Sequence, residues 1–84
     1  MQILYSSKFA KEYKKLSNTI KFKAEKKEKI FRKDPFDKSL RTHKLSGKLQ
    51  NFWAFSIDYK YRIIFEFIDN DTAHFHLVGN HSIY

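Results

Sequence analysis

Residues 51–78 read "NFWAFSIDYKYRIIFEFIDNDTAHFHLV", and this stretch decides the fold. Three runs rich in aromatic and β-branched residues, "NFWAFSI" (51–57), "YRIIFEFI" (61–68) and "TAHFHLV" (72–78), are separated by the turn formers "DYK" (58–60) and "DND" (69–71). Runs of that composition are strands, and connectors that short make hairpins. Three consecutive hairpin-linked strands form an antiparallel meander, and their apolar density requires that one face be covered.

The residues upstream supply the cover. "MQILY" (1–5) reads as a short first strand, after which Ser6 or Ser7 can cap a helix carrying Phe9, Tyr13 and Leu16 at helical spacing. "SNT" (17–19) breaks that helix and caps a second, with Ile20, Ala24 and Phe31 on one side and Lys21, Lys26, Lys29 and Lys33 elsewhere. The second helix must stop near Asp34, because the residue before a proline avoids the helical region. "DPFDKSLRTHKLSGKLQ" (34–50) has the polarity of a long loop, with a strand at 42–45. The predicted architecture is therefore α+β: a short N-terminal strand, a helical hairpin, then a three- to four-stranded antiparallel meander packed on the helices, in a single domain over residues 1–84.

A chain of 84 residues buries somewhat more than about 60% of its surface, enough for one core. Nine Phe and five Tyr fill that core without crosslinks, since there is no cysteine for disulfides or thiolate metal sites. The first residues lack the charged-then-apolar layout of a signal peptide, and no apolar run approaches the roughly 18 residues that span a bilayer. A cytoplasmic protein with no membrane partner is the expectation. Net charge is +8, but residues 1–48 hold 15 Lys/Arg against 5 Asp/Glu, a net of +10, while residues 49–84 hold 2 against 4, a net of −2. Such an asymmetric field favours polyanions such as a phosphate backbone, while a solvated lysine-rich helix face is the plain alternative.

Several chemistries are set aside at once. Gly47 and Gly79, the two glycines, cannot make a phosphate-cradling loop, and no serine-nucleophile motif is present. His74 and His76 point to one face of a strand, but no carboxylate or thiol stands near them in sequence to complete a metal site, so neither a metal nor another cofactor is expected. What remains is a set suited to phosphodiester cleavage without metal: Arg62, His81, Tyr84 and His43. RNA cleavage requires that a 2′-hydroxyl lose a proton, that charge on the phosphorane be held, and that the leaving 5′-oxygen gain a proton. A histidine titrating near neutrality suits either transfer. An arginine inside the apolar run "YRIIF" is either snorkelling at an edge or aimed at an anion, to which its guanidinium offers paired donors.

The order of "DPF" (34–36), "RTHKLSG" (41–47), "FWAFSIDYKYRIIFEF" (52–67) and "GNHSIY" (79–84) resembles the RelE/ParE superfamily of bacterial toxin–antitoxin toxins. The likeness is greatest to its RelE/YoeB-like and YafQ-like ribosome-dependent mRNA interferases, and it covers almost the whole chain. The resemblance implies a RelE-like microbial RNase fold and an endoribonuclease that cuts mRNA in the ribosomal A site. It places Arg62 at a phosphate-binding arginine, His81 at a catalytic histidine, Tyr84 at an aromatic that stacks on or orients the target base, and His43 near the active site. Lys21, Lys26, Lys29, Lys44, Lys48 and Lys60 are then the candidate RNA contacts, with ribosome, mRNA and a small acidic cognate antitoxin as partners.

Departures from the family pattern matter too. Where YoeB-like toxins use a glutamate as base, this chain has Ser39, with Asp37 the nearest acid. Trp53 and Phe55 stand where RelE-like members carry lysines, and Ser56 where Arg or His is common. Either His43 or His81 must then do more of the proton transfer, or cleavage is weak. ParE-like members, which inhibit DNA gyrase by binding and do not cut RNA, share the fold, and an inactive RNA-binding relative is a further alternative.

Overall fold

A computed structural model describes residues 1–80. Its elements run β1 (Gln2–Tyr5), α1 (Ser7–Lys14), α2 (Asn18–Lys33), β2 (His43–Lys44), β3 (Trp53–Ser56), β4 (Tyr61–Asp69) and β5 (Thr72–Asn80), with single 3-10 turns at Lys38–Leu40 and Gly47–Leu49 in the long connection. The strands form one five-stranded sheet in the order β1-β5-β4-β3-β2. β2 through β5 are the expected antiparallel meander, while β1 runs parallel to β5 at the far edge and makes the sheet mixed.

Both helices start as the sequence dictates. Ser6 caps α1 by accepting from the Phe9 N–H at 2.9 Å, and Ser17 caps α2 by accepting from the Ile20 N–H at 3.2 Å. Ser6 has a second task, since its hydroxyl donates to the His76 carbonyl at 2.9 Å and so ties the start of α1 to β5. Just beyond, Glu12 of α1 accepts the Val78 N–H at 3.1 Å. Past Tyr5, then, side chains of the first helix take over the hydrogen bonding of the β5 edge.

The core lies between the helical hairpin and one face of the sheet. Phe9, Ala24 and Phe31 from the helices meet Ile3, Phe55, Ile63, Phe65, Ala73, Phe75 and Val78 from the strands. Phe31 is the centre of this layer. Its ring stacks on Phe55 at 5.0 Å and meets Phe65 and Phe75 edge-on at 5.0 and 5.4 Å. On the opposite face, Leu45, Ala54 and Ile64 form a smaller cluster with Leu49, Phe52 and Leu77, to which the loop around Gly47–Leu49 contributes Leu49.

Two register shifts interrupt the β4–β5 ladder. Ile64 pairs with Leu77 but Phe65 pairs with Phe75, so His76 is an extra residue on β5, and Ile68 is likewise extra on β4 between Phe67 and Asp69. A bulge directs two successive side chains towards one face. Leu77 and His76 accordingly both look away from the helices, into a hollow they line with Phe52 and Ile64. This register corrects the reading that His74 and His76 have no carboxylate nearby: Glu66 is paired across from His74, and its Oε1 lies 3.2 Å from His76 Nε2. Sequence separation hid the contact, because only the pairing register brings residue 66 beside 74 and 76.

Truncating Phe31 to Ala should cost about 3–5 kcal/mol of stability, the upper part of what a buried aromatic ring supplies. Urea unfolding of the two proteins measures the difference, and a loss below about 1 kcal/mol would show that the ring cluster does not anchor α2.

Candidate functional site

At the end of the sheet where β3 turns into β4, a cavity of about 240 Å³ is lined by Lys27, Ser39, Arg41, Ser56, Ile57, Asp58, Tyr59 and Arg62. Three of these residues are cations and one is a carboxylate. The hollows at 390 Å³ around Tyr5, Phe9 and Tyr13 and at 510 Å³ around Phe36, Trp53 and Phe67 are larger, but no lysine or arginine lines either. Size therefore does not pick out the site; charge does.

Each cation arrives by a separate structural route. Arg62 is the second residue of β4, paired with Ser56 on one side and Gly79 on the other, and its Nε is buried. Lys27 falls on the stripe of α2 that carries Ala24 and Phe31, at spacings of three and four residues, so it points at the sheet, and its ammonium donates to the Ser39 carbonyl at 3.0 Å. Arg41 follows the 3-10 turn Lys38–Leu40 with φ 53°, in the left-handed region that few non-glycine residues adopt. Holding an arginine there costs on the order of 1 kcal/mol, and such strain gathers at functional positions.

Asp58 organises the turn between the strands. Its Oδ1 accepts the Lys60 and Tyr61 N–H groups at 2.9 and 2.8 Å, and its Oδ2 lies 3.5 Å from the Lys23 ammonium. Burial by itself would raise this carboxyl, but the two backbone donors and Lys23 outweigh it and hold it below the usual carboxylate value. Asp58 thus stays charged and engaged, which suits a positioning role better than that of a base. Asp37 is engaged in the same way: its Oδ1 accepts from the Ser39 N–H at 2.9 Å and the Ser39 hydroxyl at 2.7 Å, and those bonds lower its carboxyl. The acid nearest the missing glutamate position therefore caps a turn.

His43, on β2, is exposed, and its Nδ1 lies 3.0 Å from the Arg41 carbonyl. A carbonyl oxygen only accepts, so Nδ1 carries the proton and Nε2 is the basic nitrogen of the neutral ring. His43 is thereby tied to a residue of the cavity without lining it. His81 and Tyr84 lie outside the described residues. The last described residue, Asn80, pairs with Tyr61 next to Arg62.

The six candidate RNA-contacting lysines are dispersed. Lys21 lies 6.0 Å from the Tyr13 ring, Lys26 lies 4.6 Å from Phe22, and Lys60 lies 5.8 Å from Tyr61. Lys26 and Lys29 occupy the side of α2 turned away from Ala24 and Phe31, and Lys44 and Lys48 are exposed on the long connection. None of the six lines the cavity. Sequence reading passed over Lys27 and Arg41 in their favour. The signal for Lys27 was present, as the one lysine in the stripe Ile20, Ala24, Phe31; nothing in the sequence announced the left-handed backbone of Arg41. Phe55 is fully buried and Trp53 packs edge-on against Phe36 and Phe67 at 5.5 and 5.6 Å, so both aromatic departures serve packing.

A helical hairpin over one face of a mixed sheet is a fold shared with solved toxin structures. A YoeB/ParE toxin from Agrobacterium tumefaciens superposes with a TM-score of 0.80 at 13% identity over 96% of this chain and 99% of its own. YafQ from E. coli gives 0.71 at 18% over 96% and 93%, and the RelB–RelE antitoxin–toxin complex from Methanococcus jannaschii gives 0.74 at 20% over 94% and 91%. No protein-family model matches the sequence, and no curated protein matches it. The chain has the RelE/YoeB toxin fold.

Arg41→Gly should leave stability within about 1 kcal/mol, because relieved backbone strain offsets the added freedom of the unfolded chain. The same change should weaken binding of a short RNA measured by fluorescence anisotropy. Asp58 gives a pH signature. Its folded-state carboxyl titrates below the unfolded one, so its contribution is complete above the unfolded value of about 3.9 and disappears as pH falls through the folded value. Urea midpoints of the wild type should therefore drop on acidification below about pH 4 more steeply than those of Asp58→Asn, which has nothing to titrate there.

Proposed function

We propose that this chain is the toxin of a toxin–antitoxin pair and acts as an endoribonuclease on mRNA at the ribosome. The observation that carries the reading is the convergence of Lys27, Arg41 and Arg62 on one cavity, with His43 held to the backbone of Arg41. Those are the groups an RNA phosphodiester needs when it supplies its own nucleophile.

In this reading the scissile phosphate enters the cavity, and Arg62 donates to its non-bridging oxygens through a guanidinium that remains charged. The 2′-hydroxyl on the 5′ side gives its proton to a histidine and attacks phosphorus. Negative charge accumulates on the phosphorane oxygens, where Arg62, Lys27 and Arg41 hold it in a partly enclosed site. The bond to the 5′-oxygen breaks as that oxygen takes a proton, leaving a 2′,3′-cyclic phosphate and a 5′-hydroxyl end. His43 and His81 divide the two proton transfers, and Tyr84 holds the target base. The lysines on the outer side of α2 contribute a long-range, salt-sensitive attraction to ribosomal RNA and no chemistry.

An antitoxin completes the proposal. The RelB–RelE and YoeB–YefM structures are toxin–antitoxin complexes. A small acidic segment that folds on contact would complement the basic half of this chain and fill the cavity that RNA would otherwise enter.

Single-turnover cleavage of ribosome-bound mRNA tests the reading. Arg62→Ala should lower the rate by roughly a hundred- to a thousandfold, as expected for one preorganised donor to a developing charge. Lys27→Met should lower it by about tenfold or more at every salt concentration, whereas Lys26→Ala and Lys29→Ala should matter only at low ionic strength. Full rates in both Arg62→Ala and a His43/His81 double variant would remove the enzyme and leave a toxin that inhibits by contact alone.

A further inference from the structure

A second group of chemically capable side chains lies on the same strands but away from the cavity. Glu66 of β4 and His74 and His76 of β5 are each half-buried, and one ligand-capable atom from each lies within 4.8 Å of the others. Arg62 and Glu66 are four residues apart along β4, about 13 Å at the rise of a strand, so the two groups are separate. We propose that Glu66, His74 and His76 form a binding site for a divalent transition metal of the zinc class.

Donor chemistry is the first support. Two imidazoles and one carboxylate are the set that zinc accepts when three protein groups hold it and a further position stays open to water or a partner. Distance is the second. Bonds of 2.0–2.1 Å place neighbouring ligands of a tetrahedral ion about 3.4 Å apart, and His76 Nε2 already lies 3.2 Å from Glu66 Oε1. The widest pair has to close by roughly 1.4 Å, which rotation of one side chain provides.

Preorganisation is the third. His76 is the extra residue of the β5 bulge, its carbonyl is held by the Ser6 hydroxyl at 2.9 Å, and its ring meets Phe52 edge-on at 5.0 Å. His74 is fixed across from Glu66 by the ladder. The centres of the two imidazole rings lie 4.2 Å apart. A divalent cation between the rings would take the place of the proton that His76 Nε2 shares with Glu66 and bind all three groups together. Side chains of His76 and Glu66 are 27% and 37% exposed, so an ion can enter from solvent and the open position faces outward. The site would clamp β4 to β5 at the bulge, where the ladder is irregular.

Titration of the metal-free full chain with zinc chloride, followed by calorimetry, tests the proposal, with cobalt(II) as a spectroscopic probe. One equivalent should bind, cobalt should develop the intense visible bands of a low-coordinate nitrogen–oxygen site, and excess zinc should raise the melting temperature. Glu66→Gln, His74→Gln and His76→Gln should each weaken zinc binding by more than about tenfold while far-ultraviolet circular dichroism stays unchanged. Because His76 packs against Phe52, Glu66→Gln decides the matter if a histidine variant fails to fold. A His43→Gln/His81→Gln double variant should bind zinc as the wild type does. No binding at millimolar zinc, binding that survives Glu66→Gln, or binding lost with His43 and His81 would overturn the site.

Discussion

Everything in this structure depends on one side chain of α2 meeting three strands at once. Phe31 contacts Phe55 of β3, Phe65 of β4 and Phe75 of β5, and all four rings are fully buried. That contact fixes the rotation of α2 about its own axis. With Phe31 and Ala24 turned to the sheet, Lys27 between them must turn the same way, while Lys26 and Lys29 must turn out. A packing requirement thus selects which lysine of a lysine-rich helix reaches the cavity. The core and the candidate site are set by the same angle.

Legibility in the sequence followed the range of the interaction concerned. Strands β3 to β5 and both helix starts could be read because alternation, β-branched content and serine caps act over a few residues. Arg62 stood out as a charge inside an apolar strand. What escaped were consequences of pairing between distant segments: the parallel addition of β1 to β5, the bulge at His76, and the approach of Glu66 to the two histidines. A shift of one residue moves a side chain to the other face of a sheet, and no local pattern records it. Arg41 escaped for a different reason. Its left-handed backbone is set by the 3-10 turn before it, and arginine gives no sign of such a conformation.

The electrostatics also divide in a way that composition conceals. Most basic residues lie in the first half of the chain, yet the cavity draws Lys27 and Arg41 from that half and Arg62 from the acidic half. Asp58 supplies the join: it binds Lys23 of α2 while holding the turn that leads into β4, so helix and strand are kept at a fixed separation at the cavity's edge. Local partnership, more than net charge, decides which cations can act on an anion at short range.

The hydroxyl of Ser6 and the carbonyl of His76, which bond to each other, are 70 residues apart in the chain. During synthesis β1 and both helices emerge long before the strand on which they close, so Phe31 waits for Phe75 and the parallel edge waits for residues 72–75. Pairing of such distant segments carries a large loop-closure cost and tends to be slow. Each new copy therefore passes through an interval in which the segments that form its helices have been made and the strand they close on has not. The cavity, which needs Arg62 flanked by Ser56 and Gly79, cannot be complete before the last of these strands has been made.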